Sequence, residues 1–245
     1  MTERSLKGRV ALITGANKGI GLEIARQLAA KGATALIGAR DSGRGEKAAE
    51  DLAADHLDAR FIRIDVTEQS SIDQGASRIE RDFGKLDILI NNAGIGIDNA
   101  PPSQLEMDVL RRTYETNFFG VFAVTKAMLP LLRKSDSARI VNISSGLGSL
   151  TLNSDPGYQY AGAKLLAYNS SKSALNALTV QFAHELRDTP IKVNSADPGY
   201  VATDLNNPRG TRTVEQGARA AVKLATLPAD GPTGGYFDED GVVPW

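Results

Sequence analysis

Val10-Ala-Leu-Ile-Thr14 runs directly into Gly15-Ala16-Asn17-Lys18-Gly19-Ile20-Gly21, and a helical pattern follows over residues 20–30. An apolar, β-branched run that empties into glycines and then a helix is the opening of a βαβ unit. The same alternation continues to the end of the chain. Strand patterns fall at 35–38, 60–64, 86–91, 139–143, 191–196 and 235–237, and helical patterns at 46–57, 72–83, 105–133, 168–186 and 214–227. Strands apolar on both faces belong to a parallel sheet covered by helices on each side. The expected architecture is therefore α/β: a doubly wound parallel sheet with helices on both faces, the Rossmann fold. No Pro/Ser/Gly linker, low-complexity block or internal repeat divides the chain, so residues 1–245 are read as a single domain.

The bulk properties exclude several classes. At 245 residues the length fits one or two domains by the ~150-residue prior. Lys and Arg number 28 against 29 Asp and Glu, a net charge of −1 with no basic excess to seek nucleic acid. The absence of cysteine removes disulfides, thiolate metal sites and a thiol nucleophile. The two histidines, His56 and His184, leave little for a metal site or a Ser-His-Asp triad, and no metal is expected. The start of the chain is polar and lacks the apolar core of a signal peptide. The most apolar run, 118–132, is broken by Thr125, Lys126 and Pro130, too short and too polar for a membrane span. A cytoplasmic protein is expected.

In a doubly wound sheet, ligands bind beyond the carboxyl ends of the strands, where the strand order reverses. Glycines after the first strand let the backbone approach a pyrophosphate, and the helix that follows offers free N–H groups to it. The spacing Gly15-x3-Gly19-x-Gly21 differs from G-x-G-x-x-G, and no Lys-Ser/Thr pair follows as in a P-loop. An ordinary glycine-rich turn is the structural alternative. The second strand decides which dinucleotide. NAD enzymes of this kind carry an acid ~20 residues on, at the end of that strand. Here the strand ends in Ala39 and Arg40, whose guanidinium can fork onto a 2′-phosphate, with Lys18 as a second cation. Asp41 is either the ribose ligand or, one position late and followed by Ser42-Gly43, a helix cap. NADP(H) is the expected cofactor.

Four further signatures follow in order. Asn91-Asn92-Ala93-Gly94 follows the fourth strand and Ser144 the fifth. Tyr168-Asn-Ser-Ser-Lys172 opens a long helix, and Pro198-Gly199 follows the sixth strand. Jointly with the glycine loop, this set closely resembles the short-chain dehydrogenase/reductase family over nearly the whole chain. The run Asn17-Lys18-Gly19-Ile20-Gly21 and the ending Gly-Pro-Thr-Gly-Gly-Tyr-Phe are most similar to the NADP-dependent carbonyl reductase branch. The resemblance implies that Ser144 bonds the substrate carbonyl, that Tyr168 is the acid/base with Lys172 as its activator, and that Asn117 holds a water of the proton relay. It implies a cofactor site formed by Gly15, Asn17, Lys18, Gly19, Ile20, Gly21 and Arg40, by Asp65 and Val66 at the adenine, and by Asn91, Ala93 and Gly94 along the cleft. Tyr168, Lys172, Pro198, Gly199, Val201 and Thr203 complete it, with Thr203 on the carboxamide.

The residues support that chemistry independently. Reduction of a ketone needs a hydride, which NADPH supplies, and a proton. A free tyrosine, with a pKa near ~10, is a poor shuttle at neutral pH, and a neighbouring ammonium lowers it. Tyr168 and Lys172 stand one helical turn apart on one face. Tyr160-Ala-Gly-Ala-Lys164 has the same spacing, but only Lys172 is followed by a helical stripe, Leu175, Leu178, Phe182 and Leu186. Tyr168 is therefore the expected acid. Pro130 is expected to kink or end the long helix, and Phe118, Phe119 and Phe122 to be core.

The expected activity is NADPH-dependent reduction of a ketone or aldehyde to an alcohol, reversible. The alternatives are a 3-oxoacyl thioester reductase, an NAD(P)-dependent alcohol dehydrogenase, or a non-catalytic NADP-binding sensor, which would need none of the four catalytic residues. The partner is a small carbonyl or alcohol substrate, in a pocket drawn from 95–100, 145–164 and 200–210, with no nucleic acid and no membrane. The stretch between Ser144 and Tyr168 is longer than many family members carry, so residues 149–164 read as an insertion. In the carbonyl reductase branch a longer insertion there covers the Tyr168 helix, which implies a monomer or a dimer, a tetramer being the alternative.

Overall fold

A computed structural model describes residues 6–206 and 209–245; positions 1–5 at the polar start and 207–208 of the expected pocket segment lie outside the described residues. The strands are β1 (Val10–Thr14), β2 (Thr34–Ala39), β3 (Ala59–Arg63), β4 (Ile88–Asn91), β5 (Arg139–Ile143), β6 (Lys192–Ala196) and β7 (Tyr236–Phe237). They form one sheet in the order β3-β2-β1-β4-β5-β6-β7, every neighbouring pair parallel. The order reverses between β1 and β4, so the crevice expected of a doubly wound sheet opens above those two strands.

Side-chain alternation along the strands builds two cores. Ala11 and Ile13 of β1 face one side, where they meet α1 (Gly19–Ala30), α2 (Ser42–Ala54) and α8 (Val214–Ala225). Val10 and Leu12 face the other, against α3 (Gln69–Phe83), α5 (Gly120–Leu132) and α7 (Leu166–Glu185). The long helical pattern over 105–133 resolves into α4 (Met107–Tyr114), a π-turn at Glu115–Phe119, and α5. The interruption is this π-turn, which presents Asn117, while Pro130 is accommodated inside the last turns of α5. Phe119 and Phe122 are 51% and 45% exposed rather than core, because the π-turn rotates this segment's outer face to solvent.

A buried polar chain ties the catalytic side of the sheet together. Asn91 Nδ2 donates to Thr125 Oγ1 (3.0 Å) and to Asn142 Oδ1 (2.8 Å), Asn142 Nδ2 donates to Thr179 Oγ1 (2.8 Å), and Thr179 meets Ser195 Oγ at 2.8 Å. The chain fixes α5 and α7 relative to β4, β5 and β6. Asn142→Leu leaves the Asn91 amide a partner short where no solvent can replace it. We expect a loss of about 1–3 kcal/mol, read in urea unfolding as a lower midpoint at unchanged slope.

Candidate active site

The crevice begins at the glycine loop. Gly15 and Gly19 have φ of 64° and 59°, a conformation that only glycine adopts freely. A Cβ on Gly21 would stand 2.4 Å from Asn92 Nδ2, because that amide donates to the Thr14 carbonyl (2.8 Å) and braces the loop from β4. Thr14 Oγ1 also receives the Asn92 and Ala93 amides at 3.0 Å each. Asn91, expected along the cleft, is instead turned into the sheet as the last residue of β4 and sits in the buried polar chain. Asn92 and Ala93 make the contacts with the loop.

Among the described residues no side chain caps the start of α1, and its first turn carries no acid. Its N–H groups and the positive end of its dipole are free for an anion. Beside it opens a cleft of about 530 Å³ lined by Asn17, Lys18, Arg44 and Lys47 among others. Arg40 is exposed at the end of β2 and Asp41 caps α2, accepting from Arg44 N at 2.9 Å. Arg44 and Lys47 escaped the sequence reading because they lie on α2, outside any motif. Lys18 is paired with Asp204 (2.5 Å), and a Cβ on Gly19 would meet Thr203 Cγ2 at 3.7 Å, so the segment after β6 folds over the glycine loop. Asp65 and Val66 stand at the end of β3, with Asp65 Oδ1 accepting from the Thr67 amide and hydroxyl.

The candidate catalytic groups converge beyond β5. Ser144, 1% exposed, has no hydrogen-bond partner for its hydroxyl among the described residues. Lys172, buried on α7, donates from Nζ to the Ile143 carbonyl at 2.7 Å and lies 5.6 Å from the Tyr168 ring centroid. Burial pulls the Lys172 ammonium down to about 8 and pushes the Tyr168 phenol up to about 12. Desolvation is the largest influence on both groups, and Lys172 is turned to a backbone carbonyl. The Ser145 hydroxyl works in the other direction on Tyr168, favouring its ionised form. Asn117 is fully buried, and its amide is held by neighbours rather than left for a water. Oδ1 accepts from Ile95 N (2.8 Å), while Nδ2 donates to Ile95 O (2.8 Å) and Ser171 Oγ (3.0 Å). Gly94 sits close by, a Cβ there falling 3.4 Å from both Asn117 Oδ1 and Lys172 Nζ.

Tyr160 and Lys164 lie in turns, outside any helix. Lys164 Nζ binds the Asn153 carbonyl (2.6 Å), and the Tyr160 ring packs on Tyr158 (5.5 Å) and Tyr200 (5.8 Å). Residues 149–164 begin with a short helix, α6 (Leu150–Ser154). They reach the first turn of α7 through Asn169 Nδ2 to the Ala163 carbonyl (2.8 Å) and leave Val180 further along 39% exposed.

After β6, Gly199 takes φ of 72° and its N–H donates to Asp197 Oδ1 at 2.9 Å. Burial raises the Asp197 carboxyl. A Cβ on Gly146 would stand 2.4 Å from the Tyr158 hydroxyl and 3.0 Å from Asp197 Oδ2, so both side chains close on this glycine. Pro198 precedes Gly199, and buried Val201 pairs with Arg212 in an isolated bridge. Sequence reasoning missed Asp98, Asp197 and Tyr236, which carry no motif and meet partners remote in sequence.

A glycine-loop crevice over the switch point of a parallel sheet, with serine, tyrosine and lysine gathered beside it, defines a dinucleotide-dependent oxidoreductase. Residues 9–213 match the short chain dehydrogenase family, and the chain belongs to that family. It is 40% identical over 223 residues to the short-chain dehydrogenase anuI of Penicillium roqueforti, covering 89% of this chain and 88% of that one. It is 32% identical to carbonyl reductase [NADPH] 1 of Rattus norvegicus, covering 96% and 98%. The solved gluconate 5-dehydrogenase of Burkholderia cenocepacia, in complex with NADP and tartrate, superposes with a TM-score of 0.85 at 29% identity, covering 96% and 95%. Among the described residues no helix is long and apolar enough to cross a membrane.

The start of α7 is set from a distance. Asp98 accepts the Ala167 N–H on Oδ1 (2.8 Å) and the Tyr168 N–H on Oδ2 (3.1 Å), a carboxylate at the positive end of the helix that carries Tyr168. Asp98→Ala is expected to cost about 1 kcal/mol of stability, read by thermal unfolding. Turnover should fall more than affinity for the nicotinamide nucleotide, because the loss is local to Tyr168; an unchanged kcat would show that α7 holds its first turn without the cap.

Proposed function

We propose that the chain is an NADPH-dependent reductase that converts a ketone or aldehyde to an alcohol, reversibly. The observation that carries this reading is the convergence of Ser144, Tyr168 and Lys172 beside a helix terminus left open for a phosphate. The residues fit the nucleotide. Gly15 and Gly21 lie where side chains would collide with Ala93 and Asn92, so the loop keeps its backbone close to the crevice. Exposed Arg40 supplies positive charge where a 2′-phosphate would rest, and Ala39 supplies no acid beside it; Lys18, Arg44 and Lys47 stand close by, each paired with a carboxylate (Asp204, Asp41 and Asp51) that the phosphate would displace. The bound cofactor supplies the hydride.

The chain does the rest. Ser144 Oγ, unpartnered and buried, donates to the substrate carbonyl oxygen and stabilises the charge that develops there. Tyr168 is protonated throughout the physiological range, its phenol standing at about 12, and gives its proton to that oxygen. Lys172, at about 8, is charged at neutral pH and stabilises the phenolate left behind. Asn117 clamps the Ile95 peptide against α7 and keeps the crevice wall in place. In this reading the enzyme works in the cytoplasm as a monomer or dimer.

The test is an oxidation assay with NADPH and NADH across a panel of ketones, aldehydes and sugars. Wild type should prefer NADPH, and Ala39→Asp with Arg40→Leu should shift preference toward NADH. Tyr168→Phe should lose ~10²–10⁴-fold in kcat, while Tyr160→Phe keeps most of it. A higher wild-type kcat/KM with NADH, or a fully active Tyr168→Phe, overturns the assignment. Light scattering at micromolar concentration checks assembly: a mass near four times 26.0 kDa would remove the monomer-or-dimer part alone.

A further inference from the structure

Two buried hydroxyls on strand ends adjoining β6 have no partners among the described residues. Ser144 Oγ and Tyr236 OH both lack any hydrogen-bond partner among the described residues, and both residues are 1% exposed. Ser144 is the group whose hydroxyl favours ionisation of the Tyr236 phenol, so the two oxygens are neighbours, although no formed hydrogen bond joins them.

The topology brings them together. Tyr236 is on β7, paired with Ser195 of β6, and Ser144 N donates to the Ala196 carbonyl of the same strand at 2.8 Å. The Tyr236 ring stacks on Trp245, centroids 5.6 Å apart and planes 22° from parallel. The Val243 N–H holds the Tyr236 carbonyl at 2.9 Å, and the Trp245 carbonyl accepts from Thr151 N at 2.9 Å. The Tyr236 backbone is thus tied to the end of the chain, and its ring is buried against Trp245.

A hydroxyl buried without a partner destabilises a fold, whereas an apolar group of the same shape does not. Phenylalanine would fill this position without that penalty, and the neighbouring Phe237 shows that the strand accepts it. We propose that Tyr236 is a positioning residue for carbonyl reduction: its O–H donates to Ser144 Oγ and aims the Ser144 O–H at the substrate oxygen. This rests on the reductase reading above. A serine hydroxyl has one hydrogen and two lone pairs. Once its hydrogen goes to the substrate, a donor on its own oxygen holds its orientation and strengthens the outgoing bond. Burial pushes the Tyr236 phenol well above its ordinary range, so it keeps its proton and has one to donate to Ser144 once the Ser144 hydrogen is committed to the substrate. The competing acceptor is Asp197, but its Oδ1 already takes the Gly199 N–H and the Gly146 backbone faces the same carboxyl.

The experiment compares wild type, Tyr236→Phe, Ser144→Ala and the double variant on a ketone that wild type reduces. Hydride transfer is followed in single turnover at excess enzyme, so that slow variants remain measurable. Tyr236→Phe should slow the hydride step about 5- to 50-fold, below the ~10²–10³-fold loss typical of deleting a direct oxyanion donor. NADPH affinity should be unchanged and the melting temperature unchanged or raised. In the Ser144→Ala background the same substitution should change the rate less than twofold. A Tyr236→Phe protein as fast as wild type overturns the proposal and leaves the reductase reading intact. So does equal slowing in both backgrounds, or a rate loss that accompanies a lower melting temperature. A wild type inert toward every carbonyl with either nucleotide overturns the reductase reading, and the donor pair falls with it, having no acceptor to serve.

Discussion

The hydrogen bond from the Lys172 ammonium to the Ile143 carbonyl is the constraint around which the site is arranged. A buried ammonium is costly unless a polar group meets it, and here the carbonyl at the end of β5 does so. That contact places α7 over the carboxyl end of β5. Tyr168 is one turn earlier on the same helix, and Ser144 is the residue immediately after the carbonyl. Ser144 and Tyr168 are therefore brought together by one bond rather than by two loops. Gly148 completes the approach: a Cβ there would stand 2.6 Å from Lys172 Cβ, so only a glycine lets the loop after β5 lie against the helix.

The rest of the frame keeps that bond in register. The polar chain from Asn91 to Ser195 anchors α5 and α7 to three adjacent strands, and Asp98 ends α7 at the turn where Tyr168 begins. The π-turn at Glu115–Phe119 is a local departure of the same kind. It turns Asn117 inward to clamp Ile95 and Ser171, and it leaves Phe119 and Phe122 outside. Regular α-helix through this stretch would place a different side chain at the Ile95 peptide.

Much of this was legible in the sequence because it is local. The strand–glycine–helix opening, the alternation behind it and the helical stripe after Lys172 are patterns within a short window, and they place the crevice and put Tyr168, not Tyr160, on the long helix. The π-turn was not legible, since residues 105–133 keep a helical period on both sides of it and Pro130 offers a more conspicuous breaker. Asn91 was misplaced for a related reason. The pair Asn91-Asn92 differs only in which side of the strand end each faces, and the partners that decide it, Asn142 and Thr14, are remote in sequence. Asp98, Asp197 and Tyr236 carry no motif at all. Their roles come from contacts across strands that periodicity does not encode.

The direction of the pKa shifts also separates what residue type implies from what burial imposes. Tyrosine beside lysine reads as a lowered phenol, yet enclosing both groups raises the tyrosine and lowers the lysine. Desolvation acts on the charged form of each and is the largest cause of both shifts. Such a pair is poised as acid rather than as base: the phenol holds its proton until charge develops on a neighbouring oxygen. The same enclosure strengthens every donor aimed at that oxygen. A buried Ser144 hydroxyl without a partner among the described residues costs stability, and in the proposed reduction it is a donor left for the developing alkoxide.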